Sequence, residues 1–136
     1  GLMGECYKCA INNNREVMGV CPNYYIEDLE KIKCTKEVIT KTISERTWTL
    51  IDKCDAIIFL PGGIGTIHEL FAAIDSKRNH EIDKPIIIYN GLHYFDELLV
   101  FLNKLYNENF SSKKVEECYH ISESLRDTLE YLKISV

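Results

Sequence analysis

A chain of 136 residues is about one domain's worth, long enough to bury close to two thirds of its unfolded surface. With 46% hydrophobic and 27% charged residues it has an ordinary globular balance, which excludes a disordered or low-complexity chain. Its 16 Lys and Arg against 21 Asp and Glu leave a formal net charge of −5, so DNA or another polyanion is disfavoured as the main partner, while a small anion remains open.

Apolar runs and amphipathic stretches then alternate along the chain. Asn12-Asn13-Asn14 marks the stop of an opening helix, because asparagine tolerates the left-handed conformation. Val17–Cys21, closed by Pro22, is a short buried strand, and Glu37–Thr40 is a second. Residues 42–54 form a helix with Ile43, Leu50, Ile51 and Cys54 on one stripe, opened by the capping-box spacing Thr42-x-x-Glu45. Asp55–Leu60, closed by Pro61-Gly62-Gly63, is the clearest strand, and a helix over 66–78 follows with Ile67, Leu70, Phe71 and Ile74 inward.

Pro85–Tyr89, closed by Asn90-Gly91, is a fourth strand and Cys118–Ile121 a weaker fifth. Helices over 94–106 and 122–133 complete the chain; at that spacing Tyr94 and Phe95 read as core, with an interface as the alternative. Continuous rather than alternating apolar runs mean strands covered on both faces, as in a parallel sheet. The fold class is therefore α/β with a mostly parallel sheet, in one domain over 1–136. Ala56–Leu60, the longest apolar run, is far too short to span a bilayer, and no residues shown read as a secretory signal.

Six cysteines stand at 6, 9, 21, 34, 54 and 118, and only Cys6-x-x-Cys9 has the spacing of metal ligands. No second such pair follows, and the four histidines form no matching pair. Reduced thiols in a cytoplasmic protein are expected, with no metal. His68, His80 and His93 are assigned no chemistry.

The loop Pro61-Gly62-Gly63-Ile64-Gly65-Thr66 carries the strongest chemical signal. Three glycines leave backbone N–H groups uncovered, Thr66 adds a hydroxyl, and a helix N-terminus follows, which together suit a phosphate. It lacks the Gly-Lys-Ser/Thr ending of a Walker loop, and His68 stands where a dinucleotide fingerprint needs its third glycine. A tight structural turn is the competing reading. Thr66-x-x-Glu69 is also a capping-box spacing, in which Glu69 serves only the helix start. Arg46 likewise has the ordinary reading of a solvated or locally paired arginine.

Pro61-Gly62-Gly63-Ile64-Gly65-Thr66-Ile67-His68-Glu69 resembles the PGGxGTxxE signature of the LOG (Lonely guy) family, cytokinin riboside 5′-monophosphate phosphoribohydrolases once labelled lysine decarboxylases. Ser44-Glu45-Arg46 stands at the family's M-H-E-R-K segment, and Gly1-Leu2-Met3-Gly4 is similar to its GLMG. Val17–Pro22 resembles its E-V-I-G-V-x-P strand, and Asp83-Lys84-Pro85-Ile86 its D-K-P-I. The resemblance runs over nearly the whole chain in order. It implies a Rossmann-like, doubly wound, mostly parallel sheet with helices on both faces, assembled as a homodimer. It implies hydrolysis of the N-glycosidic bond of a nucleoside 5′-monophosphate, with no cofactor. Carried over, Arg46 and Glu69 are the catalytic residues, and Gly62, Gly63, Gly65 and Thr66 hold the phosphate.

The chain departs from the family pattern at three places. Thr47 replaces a lysine, so this substrate-binding position loses a cation. Asp75-Ser76 replaces Thr-Trp near the base or partner subunit, which leaves the base open. The family's first strand, helix and glycine-rich strand end precede GLMG, so the sequence is expected to be part of a longer protein. A non-catalytic module that binds a phosphorylated ligand on the same fold is the alternative. A pyridoxal-dependent decarboxylase is not expected, since no lysine sits in a recognisable cofactor context.

Overall fold

A computed structural model of the chain describes residues 1–26 and 34–134. The chain divides into two compact units, Gly1–Cys54 and Asp55–Val136, and among the described residues every strand pairing is parallel. The α/β class with parallel strands read from the sequence is the observed one.

In the N-terminal unit, helix α1 (Leu2–Asn12) is followed by strand β1 (Met18–Pro22), a short 3-10 turn at Asn23–Tyr25, strand β2 (Lys36–Thr40) and helix α2 (Ile43–Asp52). The asparagine run stops α1 as expected: Asn14 takes a left-handed φ of 53°. β1 pairs with β2 in the register Val20↔Val38. Val20, Cys21, Pro22, Thr40, Thr47 and Ile51 are buried among the described residues of this unit. Ile39 is 45% exposed, so β2 is not covered on both faces as its apolar run suggested.

The capping box at the start of α2 forms with one change. Thr42 Oγ1 accepts from the Glu45 N–H at 3.1 Å, but the Glu45 carboxylate reaches back to the Lys41 N–H at 2.7 Å rather than to that of Thr42. Two donors near the helix start are thereby satisfied, and the first turn is fixed just ahead of Arg46.

The C-terminal unit begins with strand β3 (Ile57–Phe59) and helix α3 (Ile64–Arg78), followed by strand β4 (Ile86–Tyr89) and helix α4 (Asp96–Asn107). A single helical turn α5 (Lys113–Glu116), strand β5 (His120–Ser122) and helix α6 (Leu125–Tyr131) complete it. The sheet order is β3-β4-β5. Central β4 places Ile86, Ile87 and Ile88 at 0% exposure, as a parallel strand covered on both faces requires. β3 is paired on one side only among the described residues, and Ile58 is 44% exposed because cover thins at the sheet's edge. Leu70, Ala73 and Ile74 of α3 supply the core stripe. Lys77 and Arg78 in its last turn complement the helix dipole.

β5 starts two residues later than the sequence pattern suggested. Cys118 closes the turn after α5, and register with β4 selects His120 to Ser122. At this corner His120 Nε2 donates to Asp127 at 3.1 Å, and its ring stacks on Tyr131 with centroids 4.1 Å apart. The His120 hydrogen bond is the main cause holding the Asp127 carboxyl below its ordinary value of 3.8. A depressed carboxyl pKa gives stability that is present above the unfolded value and lost as pH falls through the folded one. Urea denaturation should therefore show the native chain more stable than Asp127→Asn above pH 3.8, with the gap closing below it. A gap independent of pH would remove this carboxylate from the account.

Candidate active site

Helix α3 starts two residues earlier than the sequence spacing implied, and this changes the reading of Glu69. Its N-cap is Gly63, extended at φ −89° and ψ −157°, whose carbonyl accepts from the Ile67 N–H at 3.2 Å. Thr66 is thus the third helical residue rather than the cap, and Glu69 lies in the second turn. The Thr66-x-x-Glu69 capping box does not form. The glycine N-cap contributes no side-chain bond, so the first-turn N–H groups of α3 stand at the carboxyl end of β3 with the positive end of a helix dipole of 15 residues behind them.

The glycines have distinct reasons to be glycine. A Cβ on Gly62 would fall on the Thr66 hydroxyl and lie 3.0 Å from Thr66 Cβ, so Thr66 folds over this backbone. A Cβ on Gly63 or Gly65 would meet nothing within 4 Å. Neither residue is glycine because the chain's own packing demands it, and none has a positive φ. Gly65, Thr66 and Glu69 are four and three residues apart on one helix, which places the half-buried carboxylate on the same face as the glycine turn. The C-terminal unit therefore gathers Gly62, Gly63, Gly65, Thr66 and Glu69 at one strand-to-helix junction and the first two turns of α3.

The next loop, Asn90–Phe95, carries the turn signal Asn90-Gly91 and the aromatic pair Tyr94-Phe95, none of which was expected at the site. Asn90 is buried at 3% exposure, and each of its four polar atoms has a hydrogen-bond partner. Its N–H donates to Ser122 O at 2.7 Å, and its Oδ1 accepts from Phe95 N–H at 2.9 Å. Its Nδ2 donates to Asp96 at 2.6 Å, and its carbonyl accepts from His93 N–H at 2.9 Å. The aromatic pair splits: Phe95 is core at 1% exposure, whereas Tyr94 is 51% exposed and donates its hydroxyl to the Gly62 carbonyl at 2.7 Å. α4 begins only at Asp96, so helical spacing does not apply to Tyr94.

In the N-terminal unit, α2 carries Arg46 and Thr47. Arg46 is half-buried and its Nε donates to the Val20 carbonyl of β1 at 3.2 Å, which fixes the guanidinium against that strand. Thr47 is 3% exposed, and its hydroxyl has no hydrogen-bond partner among the described residues. A buried hydroxyl left unsatisfied costs about 1–3 kcal/mol. Thr47→Val is accordingly expected to raise stability by about 1 kcal/mol, seen as a higher urea midpoint at unchanged slope. A lower midpoint would mean the hydroxyl has a partner in solution.

None of the six cysteines is joined in a disulfide; Cys21 and Cys118 are buried, and Cys6 and Cys9 are exposed. Among the described residues no three His, Cys, Asp or Glu side chains are grouped to hold a metal ion, and no helix is long and apolar enough to cross a membrane. A cavity of about 490 Å³ lies at the opposite end of the three-stranded sheet from the glycine loop, between the end of α3 and the entry to β5. Lys77, Arg78, Asp83 and Cys118 line part of it. Ligands of open parallel sheets bind at the carboxyl ends of strands, so the glycine loop and not this cavity is the candidate site.

Parallel strands, a glycine turn at a strand's carboxyl end and a following helix that carries a glutamate define an α/β protein with a candidate ligand site at its strand ends. Residues 3–132 match the family described as possible lysine decarboxylase, and the chain belongs to that family. It is 32% identical to a cytokinin riboside 5′-monophosphate phosphoribohydrolase of Mycobacterium tuberculosis, over 82% of this chain and 60% of that protein. It is 29% identical to one of Arabidopsis thaliana, over 98% of this chain and 63% of that protein. The chain thus spans less than two thirds of the length of these relatives.

Proposed function

We propose that this chain hydrolyses the N-glycosidic bond of a nucleoside 5′-monophosphate, releasing free base and ribose 5-phosphate. The observation that carries the reading is the glycine-capped start of α3 with Glu69 one turn beyond it on the same face. First-turn N–H groups and the Thr66 hydroxyl suit a dianionic phosphate. One helical turn, about 5.4 Å, then separates them from the carboxylate, comparable with the span from a 5′-phosphate to the anomeric carbon of the same ribose. Relatives named as phosphoribohydrolases support the same assignment.

The chemistry suits these residue types. As the C–N bond breaks, positive charge builds on the ribose ring, and an ionised Glu69 stabilises it while accepting a proton from the attacking water. The water oxygen becomes the anomeric hydroxyl, and the base leaves with the bonding electrons and takes up a proton. Within the N-terminal unit, Arg46 is a planar fork oriented by its bond to Val20, a group chemically suited to a phosphate or ribose oxygen. Thr47, buried beneath the surface of α2, is assigned to the support of that arginine's helix. A single cytoplasmic domain acting as a homodimer belongs to the same reading. The exposed Val100 and Phe101 on α4 offer apolar surface to a second copy, and sedimentation of the purified protein tests it.

Lysine decarboxylation, the activity in the family's description, relies on a lysine amine bonded to pyridoxal phosphate. Lys77 donates to the Lys84 carbonyl at 2.7 Å, while Lys8, Lys36, Lys53 and Lys104 are exposed and paired with carboxylates. None of these lysines stands on the glycine loop, so none of them offers an amine there.

Base release from a panel of nucleoside 5′-monophosphates, with ribose 5-phosphate as the second product, tests the proposal. Turnover across the panel supports it and gives the base preference. Tight binding of a monophosphate without any turnover would replace the hydrolase with a binding module.

A further inference from the structure

We infer that Tyr94 is a positioning residue, a tether that sets the direction of the N–H groups in the glycine loop; this deepens the proposed function and rests on it. Tyr94 Oη donates to the Gly62 carbonyl at 2.7 Å across 32 residues of sequence. A peptide unit is planar and trans, so its C=O and the next residue's N–H point in opposite directions. Drawing the Gly62 carbonyl toward Tyr94 therefore turns the Gly63 N–H away from it. A Gly-Gly unit is otherwise the segment most free to rotate, because neither residue has a Cβ to restrict it.

The tether has a rigid anchor. Tyr94 lies inside the loop that Asn90 holds at four points, and its ring meets the buried Phe95 edge-on, with centroids 5.1 Å apart at 84°. Gly91, at the root of that loop, has no room for a side chain, since a Cβ would lie 2.7 Å from the Glu123 carbonyl. The other side of Gly62 is covered by Thr66. The Gly62-Gly63 peptide is thus fixed from two directions, by a hydroxyl from the β4–α4 loop and by a side chain of its own helix. Preorganised donors lose less freedom when an anion binds, so the hydroxyl contributes to phosphate affinity without touching phosphate.

Tyr94→Phe keeps the exposed ring and removes only the donor, so the fold is preserved. Backbone 15N relaxation compared between the native protein and this variant reads the tether directly. Order parameters of the Gly63 to Gly65 amides should fall from about 0.85 toward 0.6 or below, with other amides unchanged. Affinity for ribose 5-phosphate should fall about three- to tenfold, and in turnover the change should appear in KM with kcat retained. Unchanged order parameters at these amides overturn the tether. Lower order parameters with undiminished affinity overturn its role in phosphate binding. A native protein that binds no ribose 5-phosphate overturns the proposed function instead, and the relaxation comparison still decides whether the tether exists.

Discussion

Glu69→Gln is expected to lower base release by roughly 10²–10⁴-fold while the protein stays folded. Glutamine has the same shape and can still accept a hydrogen bond, but neither stabilises developing positive charge nor accepts the proton of water. The small effect expected on stability follows from the helix start. Had Thr66 been the N-cap, position 69 would have closed a capping box and a substitution there would have touched the fold. Gly63 is the cap instead, and Glu69 sits in the second turn with Leu70 beside it taking up the core contact. The measurement pairs product release with denaturation on the same preparations. A variant that keeps native turnover removes Glu69 from the chemistry, whatever its stability.

Alanine at Gly62 and at Gly65 should separate packing from ligand binding. At Gly65 the new Cβ meets no atom of the chain, and alanine favours the helix by up to about 1 kcal/mol, so stability should hold or rise. Ligand affinity should nevertheless fall about tenfold or more, the equivalent of about 1.4 kcal/mol, because the methyl group occupies the side on which Glu69 and Thr66 lie. Gly62→Ala should instead destabilise the fold by about 1–3 kcal/mol through overlap with the Thr66 side chain. Placing Gly62→Ala in a Thr66→Ala background should recover part of that loss, a coupling expected only of groups in contact. Denaturation midpoints and ribose 5-phosphate titration check both. Equal effects of the two alanines on affinity and stability would mean that the glycines serve the turn alone.

Much of this was legible in the sequence because local rules and tertiary demands agreed. The Ile86-Ile87-Ile88 run predicts a strand covered on both faces, and β4 is that strand. Thr42-x-x-Glu45 predicts a helix start that the structure contains, with Lys41 rather than Thr42 as the second donor. The asparagine run stops α1, and the order of strands and helices follows the apolar pattern throughout. Edges and starts were less legible. Ile58 and Ile39 read as buried by type, but burial depends on what lies across from a strand, which no local window contains. Two Thr-x-x-Glu spacings occur, at 42 and at 66, and only the first is a capping box. Gly63 adopts an extended conformation and lets the helix begin before Thr66, so identical spacing had two outcomes. Tyr94 shows the same limit from another side: its role depends on a contact 32 residues away that no periodicity encodes.

Asn90 has a further consequence, for the ageing of the protein. An asparagine followed by glycine is the pair most prone to lose its side-chain amide, because the next backbone nitrogen reaches the amide carbon and closes a succinimide ring. In the folded chain that carbon cannot turn toward the Gly91 nitrogen, since both ends of the Asn90 amide are held by Phe95 and Asp96. Conversion to aspartate would also set a carboxylate against Asp96 where a donor had been. The reaction is therefore confined to molecules that have unfolded, and each such event leaves a chain that cannot close this loop again. Deamidation at one buried position becomes a chemical record of how often the C-terminal unit has opened.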